Sequence, residues 1–312
     1  MTLLKALDSR IRFPSTLALS GGGGKTTALF ALARELAARG ARVLVTTTTR
    51  IRDPRGEGRR IDGFLEVPDP AGALPGDPSG LLPSGGGAGS GDAAGGKGPP
   101  GRGSVSVLCA GVEDGKLVGV GAGIFPALAA SGRWDAILAE ADGARMRPVK
   151  APAPYEPVWP VGVSVALGVI GLDCLGRPLD NRVAHRPELL GARVGLEPGG
   201  PIELGHLLLL ARNPEGLFRG APMEARRILV LNKADLRPDL DPGTLAAEAA
   251  AGLAGLGSAA PTGPQESPSA RIDPGLPAGI DLVLVCSLAD PDPERRVRAA
   301  RAVFGDGPGG VY

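Results

Sequence analysis

Four consecutive glycines, Gly21 to Gly24, end the apolar run Leu17-Ala18-Leu19-Ser20, and Lys25-Thr26-Thr27 follow at once. Without a Cβ, such a stretch can turn tightly and bring its N–H groups against a ligand with no side chain between. Downstream, Leu29, Leu32, Ala33 and Leu36 fall on one face of a helix predicted from Lys25 to about Arg39, and Gly40 stands at its C-terminal cap. The partly positive N-terminus of that helix points at the glycine loop. Lys25 adds a full positive charge, and the Thr26 hydroxyl is placed for a hard cation such as Mg²⁺. A Gly-rich linker could precede a helix too, but strand, loop, Lys-Thr-Thr and amphipathic helix stand here in the order an anion cradle requires. Gly21, Gly22, Gly23, Gly24, Lys25, Thr26 and Thr27 are therefore the expected grip on a nucleoside triphosphate.

The spacing is not that of the common phosphate loop, which has glycine six residues before the lysine; Leu19 occupies that place. The stretch from Ser20 to Thr27 fits the deviant P-loop Lys-Gly-Gly-x-Gly-Lys-Thr-Thr, with Ser20 where the first lysine would be. That difference argues against a mechanism in which this lysine reaches across a dimer.

Arg42 to Thr47 reads as a second strand, and the strand–helix–strand unit makes it parallel to the first. It runs into Thr46-Thr47-Thr48-Thr49-Arg50, whose hydroxyls and guanidinium either face the phosphates or only reflect the strand preference of threonine. Ser104 to Ala110 is a further strand, and Asp114-Gly115 a hairpin turn. Trp134 to Glu140 leads into Glu140-Ala141-Asp142-Gly143. An acid at such a strand end holds Mg²⁺ through water, and a glycine three residues on offers its N–H to the γ-phosphate. Glu140 is the metal candidate with Thr26, and Gly143 the γ-phosphate contact. Asp142 competes for the acidic role or orients the attacking water, which makes Lys25, Glu140 and Asp142 the catalytic candidates.

Arg145, Arg147 and Lys150 follow in a Pro-rich stretch, where they either read phosphate state or a partner, or are solvated loop charges. Val161 to Leu172 supplies a buried strand. His206 in the run Leu204 to Leu210 reads as a satisfied, partly buried histidine, and the polar cluster around His185 is either a substrate or effector site or a helix-flanking loop. The strand Arg226 to Leu231 ends in Asn232-Lys233-Ala234-Asp235. An aspartate there can accept from guanine N1–H and its amino group, Asn232 can reach the far edge of the base, and the Lys233 stem can lie along the ring. A site built on those bonds rejects a base that lacks them, so GTP is favoured over ATP. After the strand Asp281 to Cys286, a backbone N–H at Ser287 is the candidate contact to the base, and Pro293 to Phe304 reads as a closing amphipathic helix.

These elements predict one α/β domain over 1–312, a doubly wound, mostly parallel sheet of about six or seven strands with a P-loop. Two Gly/Pro-rich insertions, at about 53–103 and 257–277, lack the large apolar residues needed to offset ordering entropy. The net charge of +1 gives no footprint for nucleic acid or an anionic membrane surface. The longest apolar stretch is too short to span a bilayer, and Cys109, Cys174 and Cys286 are too scattered for a disulfide framework or a Cys-x-x-Cys metal knuckle. A cytoplasmic enzyme or chaperone is the plain expectation.

In order along the chain stand Gly-Gly-Gly-Gly-Lys-Thr-Thr, Thr-Thr-Thr-Thr-Arg, Glu-Ala-Asp-Gly-Ala-Arg, Lys-Ala-Pro, Glu-Pro-Val-Trp-Pro and Leu-Asn-Lys-Ala-Asp. Together they resemble the selenium-dependent hydroxylase accessory proteins, the YqeC-like family, from about residue 15 to 305. That family looks like a relative of the metallocentre-assembly GTPases for urease and hydrogenase. The resemblance implies a maturation factor for a selenium-dependent molybdenum hydroxylase, with that enzyme or its cofactor-assembly machinery as protein partner. A small-molecule kinase on the same P-loop and a nucleotide-regulated binding module with negligible turnover are the alternatives.

Overall fold

The computed structural model describes residues 1–7, 13–67, 101–255 and 279–303. The second predicted insertion and the middle of the first lie outside these residues. In chain order the strands are β1 (Ser15–Gly21), β2 (Val43–Thr47), β3 (Arg50–Arg52), β4 (Gly63–Glu66), β5 (Val105–Cys109), β6 (Gly111–Glu113), β7 (Lys116–Val118), β8 (Ala136–Glu140), β9 (Val149–Lys150), β10 (Val165–Gly171), β11 (Ala184–His185), β12 (Arg226–Asn232), β13 (Leu282–Cys286) and β14 (Val297–Ala302). The helices are α1 (Leu3–Leu7), α2 (Lys25–Ala38), α3 (Phe125–Ala130), α4 (Pro187–Val194), α5 (Leu204–Arg212) and α6 (Pro242–Gly255).

Among the described residues nine strands form one sheet in the order β14-β13-β12-β10-β1-β8-β2-β5-β4. Every pairing in it is parallel except β13 with β14. Alternation along the strands divides the core. Leu17 and Leu19 of β1 join Val43, Val45 and Leu138 in a layer with α1 and α2, where Leu29, Phe30, Leu32 and Leu36 are buried. Ala18, Leu44, Ile137 and Ala166 face the other way, into a layer that takes in residues of α3, α5 and α6. Each large apolar side chain buried this way contributes about 1.5–3 kcal/mol. Helices on both faces make this an α/β fold of the doubly wound kind.

Some sequence expectations change, the strand count among them: nine described strands form the sheet where about six or seven are expected. Pro293 to Phe304 does not make a helix over its described part: a short 3-10 turn (Pro293–Arg295) precedes β14, which runs antiparallel along β13. Within the first predicted insertion Asp53 to Val67 are described, and β4 pairs with β5 at the sheet edge. The hairpin expectation at Asp114-Gly115 holds, with φ of 49° and 68° turning β6 into β7.

Parallel order matters for the site. It brings the carboxyl ends of β1, β8, β2, β10, β12 and β13 to one edge of the sheet, the edge at which ligands of open α/β sheets lie.

Candidate functional site

β1 ends at Gly21, and its register pairs Leu19 with Glu140, the last residue of β8. Ala141 N–H then donates to Leu19 O at 2.8 Å, which holds the Glu140–Asp142 turn beside the glycine loop. Protein atoms closely approach each glycine of the loop. A Cβ on Gly21 would collide with the Val169 carbonyl, and one on Gly23 with the backbone nitrogen of Gly171. On Gly22 it would lie 2.6 Å from Arg147 O, and on Gly24 2.6 Å from Asn232 Nδ2. Gly21, Gly23 and Gly24 also have φ of 95°, 67° and 115°, which L side chains rarely adopt. Both reasons demand glycine at this turn.

The N–H groups of the loop divide into two sets. Gly21 donates to the Asp142 carboxylate (3.1 and 3.2 Å), Gly22 to Val169 O (2.8 Å) and Gly23 to Arg147 O (3.0 Å). From Lys25 onwards the donors belong to the first turn of α2, which carries no side-chain cap. Its first intrahelical bond runs from Ala28 N–H to Gly24 O. The N–H groups of Lys25, Thr26 and Thr27 are thus the helix-end donors that an anion would meet.

Four side chains converge on this turn. Lys25 Nζ donates to Gly21 O at 2.5 Å and stands 3.2 Å from Asp142 and 3.5 Å from Glu140. The Thr26 hydroxyl donates to Glu140 Oε2 at 2.7 Å. Lys25, Glu140 and Asp142 are all buried. Burial works against the Lys25 charge, but Asp142 and Glu140 outweigh it and hold the ammonium above the usual lysine range. Burial pushes the Glu140 carboxyl up, opposed by Lys25 and by the Thr26 hydrogen bond. The Thr26–Glu140 oxygen pair suits Mg²⁺, which takes one or two protein oxygens and completes its shell with water and phosphate. Among the described residues no group of three or more His, Cys, Asp and Glu could hold a metal by itself.

Lys150, on sequence either a reader of phosphate state or a partner, or a solvated loop charge, is fully buried. It pairs with Asp142 at 3.0 Å and Glu156 at 2.8 Å and donates to Gly143 O at 2.6 Å. Only its place close behind Asp142 hinted at this. The threonine run is engaged inside the protein: Thr46 donates to Leu108 O, Thr47 to Glu140 O and Thr48 to Val158 O. Arg50 pairs with Glu113 at the surface.

β12 brings the second motif to the same edge. Asn232 Nδ2 donates to Gly23 O at 2.8 Å, and its Oδ1 accepts from Leu288 N–H at 3.0 Å. The asparagine so ties the glycine loop to the loop after β13. Lys233, at φ 67°, pairs with Asp173 at 2.7 Å. Asp235 is exposed on the short turn Ala234–Leu236. Ser287 N–H donates to Arg296 O, so the donor expected to face a base is occupied by the residue just before β14. His206 is satisfied, as read: its Nδ1 accepts from Glu203 N–H at the start of α5. His185 is half-buried, and burial with Arg186, Lys150 and Arg145 around it lowers its pKa to about 4. The three cysteines are free and buried, and burial raises Cys174 to about 12. Among the described residues no helix is long and apolar enough to cross a membrane.

The family model described as YqeC protein matches residues 17–188. That stretch takes in the glycine loop, Glu140, Asp142, Lys150 and Glu156, and stops before Asn232. The Escherichia coli (strain K12) protein named "Uncharacterized protein YqeC" is 32% identical over 220 residues, 70% of this chain and 76% of that protein. No solved structure matches the chain.

Proposed function

The chain belongs to the YqeC family, and from that premise we propose that it is a Mg²⁺-dependent P-loop nucleoside triphosphatase, selective for GTP, that serves as an accessory factor in maturing a partner enzyme. One observation carries the reading. The uncapped first turn of α2 presents Lys25 and Thr26 beside two buried carboxylates at the carboxyl ends of β1 and β8. Such a turn suits a polyphosphate, with the Lys25, Thr26 and Thr27 N–H groups and the Lys25 ammonium against its oxygens. Thr26 and Glu140 would hold Mg²⁺, which supplies charge neutralisation on the phosphates. Asp142 meets Gly21 N–H and two lysines. That favours an anchoring role for it over the water-orienting one, and argues against its acting as the base of a kinase. Asp235, exposed beyond Asn232, is the group proposed to select guanine.

The partner is proposed from the family resemblance as a selenium-dependent molybdenum hydroxylase or its cofactor-assembly machinery. The test is a binding panel of GTP, ATP and XTP with Mg²⁺, followed by phosphate release with and without acceptor. GTP binding with acceptor-independent release supports the reading. Release that requires an acceptor supports the kinase, and binding with no release even in the presence of the partner supports the binding module.

A further inference from the structure

Asp142 has two cationic neighbours that differ in kind. Lys25, the first residue of α2, stands 3.2 Å from Oδ1 and also reaches Gly21 O. Lys150 meets Oδ2 at 3.0 Å from within β9, which is paired to β11, and its side chain has no solvent exposure. Lys150 is held from behind by Glu156 at 2.8 Å, which in turn takes Arg186 at 2.6 Å. Positive and negative groups therefore alternate from Lys25 through Asp142, Lys150 and Glu156 to Arg186.

A buried carboxylate left without a cation is strongly destabilised, because its attraction to a partner is what offsets the loss of hydration. If Lys25 were the sole partner of Asp142, drawing it to a phosphate would strand that carboxylate, and the loop would resist its ligand. We propose that Lys150 is a positioning residue: the fixed counter-ion of Asp142, which lets Lys25 leave the carboxylate for a polyphosphate. The proposal rests on the nucleotide reading above. Its bond to Gly143 O also fixes the peptide beside the turn that sequence assigned to the γ-phosphate.

The test compares Lys150→Met, Asp142→Asn and the double variant with wild type for Mg-GTP, Mg-ATP and Mg-XTP binding by calorimetry, with urea unfolding to establish that each is folded. Lys150→Met is expected to weaken the best nucleotide on the order of 100-fold. Adding Asp142→Asn removes the stranded carboxylate, and binding should return to within about fivefold of the Asp142→Asn variant. A purely structural role for Lys150 would give no such rescue. Should Lys150→Met fail to fold, the comparison of the double variant with Asp142→Asn decides: equal affinities support the counter-ion role, and a large loss overturns it. A folded Lys150→Met that binds like wild type overturns the proposal and leaves the nucleotide reading standing. A wild-type protein that binds none of the three overturns both.

Discussion

The two ends of the proposed nucleotide site are built differently. At the phosphate end, Lys25, Glu140, Asp142 and Lys150 are buried and mutually paired, and the loop between them is closed by glycines packed against backbone. At the base end, one asparagine ties two loops together while Asp235 stands exposed on a short turn. Buried charges must be balanced within the fold itself, so the first region is as much a structural core as a site. An exposed acid carries no such obligation and is free to be purely a recognition group. The difference predicts that changes among the buried groups, the Asn232 bridge included, disturb stability, whereas changes at the exposed Asp235 alter selectivity.

The sharpest break of that contrast would come from Gly23→Ala. Its methyl group would collide with the backbone of Gly171 at a φ of 67°. Strain plus overpacking should cost on the order of 5 kcal/mol, read as a collapse of the urea midpoint. Asn232→Ala leaves Gly23 O and Leu288 N–H without their partner, and should cost about 2–3 kcal/mol by the same measurement. A loss under about 0.5 kcal/mol would mean that the bridge between the two loops is not what joins them.

A smaller effect tests the opposite edge of the sheet. The Arg42 hydrogen bond, against a modest burial cost, holds Asp135 at about 2. With its folded pKa depressed, this carboxylate contributes stability that is fully present above about pH 4 and is lost as pH falls through about 2. Both side chains are partly solvated (28% and 38% exposed), so screening limits the contribution to about 1 kcal/mol. Acid unfolding of Asp135→Asn, compared with wild type, should lack that increment. Smallest of all, Asp235→Asn should change stability by less than about 0.5 kcal/mol while moving preference from GTP towards XTP. Unchanged preference would remove guanine recognition from this turn.

Much of this was legible in the sequence, for identifiable reasons. β1, β2, β8, β10, β12 and β13 are apolar runs buried on both faces, and runs of that kind read clearly. The glycine quartet and the Glu140–Gly143 and Asn232–Asp235 stretches announced that strand ends would meet at one edge. β14 was misread because Val-Arg-Ala-Ala-Arg-Ala has helix-forming composition, and the free edge of β13 overrides that propensity. β4 was missed because three half-exposed residues and the exposed Glu66, at an edge, leave no run to detect. Lys150 was ambiguous because its compensating acids lie 8 residues upstream and 6 downstream, at Asp142 and Glu156, and only the fold folds them onto it. The N–H groups of Gly21, Gly22 and Gly23, which on sequence are expected to face phosphates, meet Asp142, Val169 O and Arg147 O, acceptors that reach them only through tertiary packing.

The central claim is that the turn at Lys25 grips a polyphosphate. Titration of Mg-GTP into wild type and into Lys25→Ala, both shown to be folded, tests it most directly. Saturable binding is expected for wild type and a loss of at least about 100-fold for the variant, in which Lys150 still serves as counter-ion to Asp142. Equal affinity in the two proteins, or no binding by wild type to GTP, ATP or XTP, would contradict it.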